Sequence, residues 1–185
     1  MIDDIPDITT PHLELVSMSL PFMEALAGHD MAGASAELDA EVSEWMADEL
    51  ENFLKFRLGQ LRLDPTIRPW LGRSMVLTQG DGTKRAVGSI GFHGPPDEEG
   101  RLEVGYSVDP PFRRRGYATE SVKALFDWAY REHGITRFVA SISPGNEASL
   151  NLTAAYGFHQ VGEHMDEIDG LEYVFETEWP RPASG

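Results

Sequence analysis

Two stretches of the chain place apolar residues three, four and seven positions apart, which is the spacing of an amphipathic helix. The clearer stretch begins after Gly116 and stops before Gly134, a residue type that commonly closes a helix. His133 falls in its last turn, where a basic side chain complements the helix dipole, so it is interpreted as a capping residue and not as a catalyst. The apolar face consists of Val122, Leu125, Phe126, Ala129 and Tyr130.

The second stretch runs from 36 to 58 and carries acidic residues opposite its apolar face. A solvated surface is the ordinary meaning of such a face, and an acidic rim for a cationic substrate is the alternative. Before it, the pattern predicts a short helix over 22–27 and a loop over 29–35. The acidic positions are Asp39, Glu41, Glu44, Asp48 and Glu51.

Alternating or β-rich segments bounded by turn residues predict the strands. Asn146 suits the cap of a further short helix that buries Ala148, Leu152 and Ala155, and Asp169 with Gly170 predicts a hairpin turn. The predicted strands cover 12–18, 73–79, 85–93, 102–109, 137–143, 158–165 and 171–178.

The order of these elements predicts an α+β fold of the α/β/α kind. A helix of suitable length joins strand 102–109 to strand 137–143, which predicts a right-handed βαβ crossover with parallel strands. Hairpins make up the remainder, so we expect a central mixed, mostly antiparallel sheet of about seven strands. Without an internal linker, residues 1–179 are predicted to form one domain and residues 180–185 a mobile tail.

Composition narrows the function classes. The 185 residues carry a formal net charge of −16, which argues against a nucleic-acid-binding protein because such proteins need a basic face. There is no apolar run near membrane-spanning length and no leader-like start, so we expect a cytoplasmic protein. The chain has no cysteine, and its six histidines lack ligand spacing, so no metal site is predicted.

The segment 108–119 departs from this acidic background. Pro110 and Pro111 end the preceding strand because they have no backbone N–H. Arg113, Arg114 and Arg115 follow, and then Gly116 leads into the helix. A glycine-bearing turn at a helix N-terminus presents N–H groups to an anion, so the turn is predicted to bind phosphate. The alternative is a basic turn that only complements nearby carboxylates.

The pattern Arg113-x-x-Gly116-x-Ala118 resembles the Q/R-x-x-G-x-G/A signature of the GNAT N-acetyltransferases. The preceding strand, the following helix, and a later Asn146-x-x-Ser149 support the resemblance, which runs from about Arg85 to Glu178. Within the family, three segments look most like the branch that contains the ribosomal-protein N-terminal acetyltransferases. They are Glu103-Val-Gly-Tyr106, Arg115-Gly-Tyr-Ala-Thr-Glu120 and Asn146-x-Ala-Ser149.

The resemblance implies a GNAT fold with a βαβ acyl-CoA-binding unit and acetyl-CoA as the donor. Backbone N–H groups from Arg114 to Ala118 would hold the pyrophosphate, with Thr119 close to it, and the backbone of Val108 would contact the pantetheine. Asn146 would contact the pantetheine as well as capping its helix; the cap alone is the alternative. The implied acyl-CoA-binding residues are Val108, Arg113, Arg114, Arg115, Gly116, Tyr117, Ala118, Thr119, Asn146 and Ser149.

Acetylation of an amine requires a base, because an alkylammonium must lose a proton before it attacks a thioester. Glu103 is the candidate base, since several GNAT members place a glutamate on this strand. The better-known position is one residue earlier, at Leu102, and a surface role for Glu103 is the alternative. His93 is a second candidate base, although a lone histidine near a strand end is more often structural.

The general acid departs from the family pattern. Many members carry a tyrosine four residues after the serine of Asn-x-x-Ser, and that position is Thr153 here. Ser149 and Tyr156 are the candidate replacements, and water is a third. Ser149 also suits helix capping, and Tyr156 also suits packing.

The resemblance thus predicts an acyltransferase that moves an acetyl group to a primary amine. The acceptor is left open between a small molecule and a protein N-terminus. The acidic segment 36–58 and Trp70 are candidates to line its site. An acyl-CoA-binding sensor or interaction module on the same fold is the alternative from another class. No nucleic-acid or membrane partner is expected, and the sequence leaves a homodimer open.

Overall fold

A computed structural model describes residues 5–166 and 170–181. Its eight strands form one mixed sheet in the order β1-β2-β3-β4-β5-β6-β8-β7. The predicted fold class is confirmed, and the strand beyond the expected seven is the two-residue β1. The strands are β1 Ile8–Thr9, β2 Leu13–Ser17, β3 Arg73–Thr78, β4 Lys84–Phe92, β5 Arg101–Val108, β6 Arg137–Ile142, β7 His159–Asp166 and β8 Gly170–Glu178.

Six α-helices accompany these strands within the described residues. None of them is both long enough and apolar enough to cross a membrane. A 3-10 turn over Pro65–Trp70 precedes β3, and another over Pro110–Phe112 follows β5. The helices are α1 Leu20–Ala27, α2 Met31–Leu38, α3 Glu44–Glu49, α4 Glu51–Leu63, α5 Tyr117–His133 and α6 Glu147–Ala155.

The chain groups into two compact units, so the single domain expected over residues 1–179 stays a prediction. The first unit contains the residues up to Gly91 together with Tyr106–Ala124. Its core is formed by apolar side chains of α1 to α4 and of the strands beside them, including Phe22, Leu26 and Met46, which are almost fully buried.

Residues 29–35 were predicted as a loop, and that prediction is wrong. Asp30 caps α2, because its Oδ1 accepts a hydrogen bond from the Gly33 N–H at 2.9 Å. The helix ends at Asp39, whose φ of 52° is left-handed. The continuous helix expected over 36–58 is therefore interrupted, and α3 starts only after Ser43.

The second unit contains Phe92–Gly105 and the residues from Leu125 onward. An aromatic cluster forms its centre, with Phe126 stacked on Phe138 at a centroid distance of 3.8 Å. The predicted apolar face of α5 is confirmed at Val122, Leu125, Phe126 and Ala129, whereas Tyr130 is 40% exposed.

Trp179 closes the aromatic cluster. Its ring packs edge-on against Phe126, and its Nε1 donates to Asp127 Oδ1 at 3.0 Å.

Arg181 donates from Nη1 to the Ala155 carbonyl at 2.9 Å. Residues 182–185 lie outside the described residues, so the mobile tail over 180–185 stays a prediction, as does the hairpin turn at Asp169, which also lies outside them.

The predicted parallel pairing across α5 is confirmed. Residues 101–103 of β5 pair in parallel with residues 137–139 of β6. Five further pairs are antiparallel: β1–β2, β2–β3, β3–β4, β6–β8 and β7–β8. The C-terminal end of β5 thus leads into the basic turn, as the sequence predicted.

Candidate active site

The turn between β5 and α5 has the backbone geometry of an anion site. Arg114 and Gly116 both have left-handed φ angles, of 61° and 83°. A turn that contains left-handed residues can present backbone N–H groups to an anion. The helix starts at Tyr117, and the first N–H groups of a helix have no acceptor within it. The turn therefore places two left-handed residues directly before the positive end of the α5 dipole.

Two of the three arginines stabilise the turn itself. Arg113 Nε donates to the Val108 carbonyl at 2.8 Å, and Arg115 Nη2 donates to the Pro111 carbonyl at 3.1 Å. A left-handed φ at a non-glycine residue costs about 1–2 kcal/mol, and these bonds help to offset that cost at Arg114. The side chains of Arg113 and Arg115 thus fix the geometry that aims the backbone N–H groups.

Two arginine side chains pack against the ring of Phe112 beside the turn. The guanidinium groups of Arg85 and Arg115 each lie 5.4 Å from the centre of its ring. Each contact has cation–π geometry, which is worth about 0.5–1 kcal/mol at an exposed site. Two guanidinium groups therefore lie next to the turn in a chain of net charge −16, and that of Arg85 also pairs with Glu41 at 3.6 Å.

The N-terminal segment is anchored to the first turn of α5. Glu120 accepts from the His12 N–H at 2.8 Å and from the Thr10 hydroxyl, and its Oε2 lies 2.8 Å from His12 Nδ1. Burial raises the pKa of Glu120, but the hydrogen bonds from Thr10 and His12 lower it by a larger amount. The pKa of Glu120 therefore lies below its ordinary value. Sequence reasoning missed this anchor because the partners are more than 100 positions apart.

Asp109 is a buried carboxylate at the end of β5 that sequence reasoning also missed. Its side chain accepts from the Ser43 hydroxyl at 3.3 Å, and its N–H donates to the Val87 carbonyl at 2.9 Å. It is 5% exposed. These bonds hold the chain where β5 stops and the basic turn starts. In the sequence, the one sign of this role is the position of Asp109 between Val108 and Pro110, at the end of the predicted strand.

Glu103 belongs to a polar cluster in the second unit. Ser141 Oγ donates to Glu103 Oε1 at 2.6 Å, and His93 Nδ1 lies 3.5 Å from the same oxygen. A Cβ added to Gly105 would lie only 2.8 Å from His93 Nε2, so the imidazole position requires a glycine there. The two candidate bases are thus neighbours in one cluster.

The Glu103 carboxylate is stabilised in its ionised form. Burial raises the pKa of Glu103, but hydrogen bonding and charge from His93, the Ser141 hydroxyl and the charge of His164 lower it by more. The pKa therefore lies below its ordinary value. An ionised carboxylate beside an imidazole can accept a proton, either directly or through His93.

Asn146 caps α6 as predicted, because its Oδ1 accepts from the Ser149 N–H at 3.1 Å. The predicted inward face of α6 is wrong at Ala148 and Ala155, which are exposed, whereas Thr153 is buried. The Thr153 hydroxyl donates to the Leu150 carbonyl at 2.8 Å. Thr153, which occupies the position where many GNAT members carry a tyrosine, therefore makes a structural hydrogen bond.

Tyr156 lies in the aromatic cluster of the second unit. It is 9% exposed, and its ring contacts Phe126 edge-on and Trp179 at a tilt. Burial, with a smaller effect from Asp127, raises the pKa of the Tyr156 hydroxyl. Tyr156 therefore has a packing role in this cluster. Its role as general acid stays a prediction.

The predicted site residues are distributed over the two units. Val108 and the segment 113–119 belong to the first, whereas Glu103, Asn146, Ser149 and Tyr156 belong to the second. Of the second group, the structure brings Glu103 together with His93 and Ser141, and Asn146 together with Ser149.

Comparisons with known proteins agree with the geometry. Residues 24–159 match the family model described as an acetyltransferase (GNAT) domain. The uncharacterized N-acetyltransferase YjdG from Bacillus subtilis is 28% identical over 168 residues, which cover 87% of this chain and 96% of that protein. The chain therefore belongs to the GNAT family and is an acyltransferase.

Solved structures show the same fold. A putative ribosomal-protein-serine acetyltransferase from Vibrio cholerae superposes with a TM-score of 0.64 at 20% identity, over 96% of this chain and 99% of that one. The ribosomal L7/L12 alpha-N-protein acetyltransferase RimL, in complex with coenzyme A, has a TM-score of 0.62 at 16% identity, over 94% of this chain and 98% of that one.

Proposed function

We propose that this chain is an N-acetyltransferase that moves the acetyl group of acetyl-CoA to a primary amine. The observation that carries the proposal is the turn before α5, where Arg114 and Gly116 are left-handed and a helix begins directly afterwards at Tyr117. Such a turn fits a pyrophosphate. Family membership supports a CoA thioester as the acyl donor.

The backbone N–H groups from Arg114 to Ala118 bind the pyrophosphate of acetyl-CoA, with Thr119 beside it. A Cβ at Gly116 would meet no atom within 4 Å, which leaves space for a ligand against this residue. The pantetheine contacts the backbone of Val108. The Val108 carbonyl already accepts a hydrogen bond from Arg113, and a carbonyl oxygen can accept a second one.

Glu103 is the general base in this proposal, and His93 either relays the proton to it or acts in its place. An alkylammonium has a pKa of about 10.4, so little neutral amine is present at pH 7. The base removes one proton, and the nitrogen lone pair attacks the thioester carbonyl. A backbone N–H of β5 at Val108 stabilises the oxyanion.

The nitrogen loses its second proton as collapse of the tetrahedral intermediate breaks the carbon–sulfur bond and forms the neutral amide. The departing thiolate takes a proton and leaves as CoA thiol. Ser149, at the first turn of α6, is the candidate donor of that proton, with Tyr156 and water as alternatives. Asn146 positions Ser149 by capping its backbone N–H.

The acceptor is a primary amine on either a small molecule or a protein N-terminus. RimL and the Vibrio cholerae protein are named for ribosomal-protein acetylation, which supports a protein N-terminus. Glu44 and Asp48 of α3, both exposed, support a cationic acceptor of either kind. Asp39, Glu41 and Glu51 form ion pairs with Lys84, Arg85 and Lys55. A cytoplasmic location suits both acceptors.

The test is CoA-thiol release from acetyl-CoA across a panel of amines, polyamines, amino acids and N-terminal peptides. We expect release above the hydrolysis background with at least one class, together with the acetylated product by mass spectrometry. Binding of acetyl-CoA with no release across all of these classes would instead favour a non-catalytic acyl-CoA sensor.

A further inference from the structure

Three side chains with metal-binding atoms meet on the β7–β8 hairpin. His164 and Asp166 belong to β7, and Glu172 belongs to β8. One ligand atom from each lies within 4.8 Å of the other two. His164 Nε2 is 3.4 Å from Glu172 Oε2. The acetyl-transfer proposal uses none of the three.

The strand register produces this cluster. His164 and Glu172 are directly opposite each other in the antiparallel pair, so their side chains share one face. Asp166 is two positions beyond His164 and therefore lies on that face as well. Its own partner across the strands is Gly170, which has no side chain to separate the three groups.

The distance between two of the three ligand atoms matches that between ligands of a tetrahedral ion. Zinc binds imidazole nitrogen at about 2.0–2.1 Å and carboxylate oxygen at about 2.0–2.2 Å. Two such ligands at the tetrahedral angle are therefore roughly 3.3–3.5 Å apart, and the observed separation of His164 Nε2 from Glu172 Oε2 is 3.4 Å. Rotation of the Asp166 side chain can supply the third ligand.

We propose that His164, Asp166 and Glu172 form a site for a divalent transition-metal ion of the Zn²⁺ type. One imidazole and two carboxylates suit this ion, and their two negative charges compensate its charge. Three protein ligands leave a fourth position for water or for a donor atom of a ligand, as in zinc sites that are not purely structural.

The site shares a face of the sheet with the proposed base. Ser141, which donates to Glu103, is opposite Val174 of β8, and Glu172 lies two positions from Val174. A bound ion would therefore add positive charge to the face that carries Glu103, although metal binding itself does not depend on acetyl transfer.

The test is a Zn²⁺ titration of the metal-stripped, full-length, untagged protein in competition with a chromogenic chelator. We expect one saturable site. Loss of an outer-shell partner typically weakens metal binding 10–100-fold, so loss of a direct ligand in His164→Ala or Glu172→Gln should weaken it by at least about tenfold. His159→Ala is the control, because His159 is exposed on the same strand but outside the cluster.

Substitution of Co²⁺ for Zn²⁺ gives a second readout. A visible absorption band of a four-coordinate ion should appear in the wild type and be lost in Glu172→Gln, which retains the size of the side chain. Circular dichroism checks the fold of each variant, and Glu172→Gln decides the matter where His164→Ala unfolds. An absence of saturable Zn²⁺ binding, or equal weakening in His159→Ala, overturns the proposal.

Discussion

Replacing Gly116 with glutamate tests the acetyl-CoA site most severely. Gly116 has a φ of 83°, and a side chain there would project into open space. The substitution therefore causes no steric clash within the protein. It adds the left-handed backbone cost of about 1–2 kcal/mol and places a carboxylate where the pyrophosphate is proposed to bind.

The size of the effect follows from ligand linkage. At an acetyl-CoA concentration of 100 Kd, binding stabilises the wild type by about 2.7 kcal/mol. For a chain of this length, 1 kcal/mol corresponds to roughly 2–4 °C in Tm, so the expected rise is about 5–11 °C. Loss of two charge-assisted hydrogen bonds, at about 1.5–3 kcal/mol each, raises Kd about 100-fold or more. The rise then falls to about 1 °C.

Differential scanning fluorimetry with and without acetyl-CoA measures this shift. Gly134→Glu is the matched control, because Gly134 has a φ of 70° and equally open surroundings but lies at the other end of α5. Both variants should lose similar stability without ligand, whereas only Gly116→Glu should lose the ligand-induced rise. An undiminished rise in Gly116→Glu would refute the pyrophosphate site.

Three further predictions concern the second unit. Glu103→Gln should lower kcat most near neutral pH and least near pH 10, where the amine deprotonates unaided; parallel pH–rate profiles would exclude Glu103 as the base. Asn146→Asp should retain the α6 cap, whereas Asn146→Ala should lower the free energy of urea unfolding by about 1 kcal/mol. A raised KM for acetyl-CoA in both variants would show that Asn146 contacts the pantetheine as well as capping the helix. Trp179→Ala should cost about 3–5 kcal/mol, and a loss below 1 kcal/mol would contradict its packing role.

The lowered pKa of Glu103 also predicts how stability depends on pH. Its folded-state pKa lies below the unfolded value, so the ionised carboxylate contributes stability above the unfolded pKa. That contribution is lost as the pH falls through the folded-state value. Urea unfolding from pH 7 to pH 3 should show a smaller acid-induced loss in Glu103→Gln than in the wild type. An equal loss would show that Glu103 does not carry this contribution.

The basic turn and α5 were predictable because their signals are local. Proline ends the strand, glycine supplies a left-handed residue, and the apolar period of 3.6 continues for more than two turns. Residues 29–35 misled the same reasoning, because Gly33 and the small residues around it resemble a loop. The Asp30 cap was the overlooked sign of a helix start.

The polar cluster around Glu103 could not be predicted, because strand register decides it. Ser141 is 38 positions from Glu103, and no local pattern shows that their side chains meet. The metal-ligand cluster was missed for the same reason. Spacing along the chain gave no ligand motif, and only the register of β7 with β8 places Glu172 opposite His164.

Amide chemical shifts measured while acetyl-CoA is added to ¹⁵N-labelled protein locate the pyrophosphate site residue by residue. We expect the largest shifts on the backbone N–H groups from Arg114 to Ala118, because these groups are proposed to bind the pyrophosphate. Desulfo-CoA, which retains the pyrophosphate, should shift the same amides. Saturable binding that leaves these amides unshifted would contradict the account.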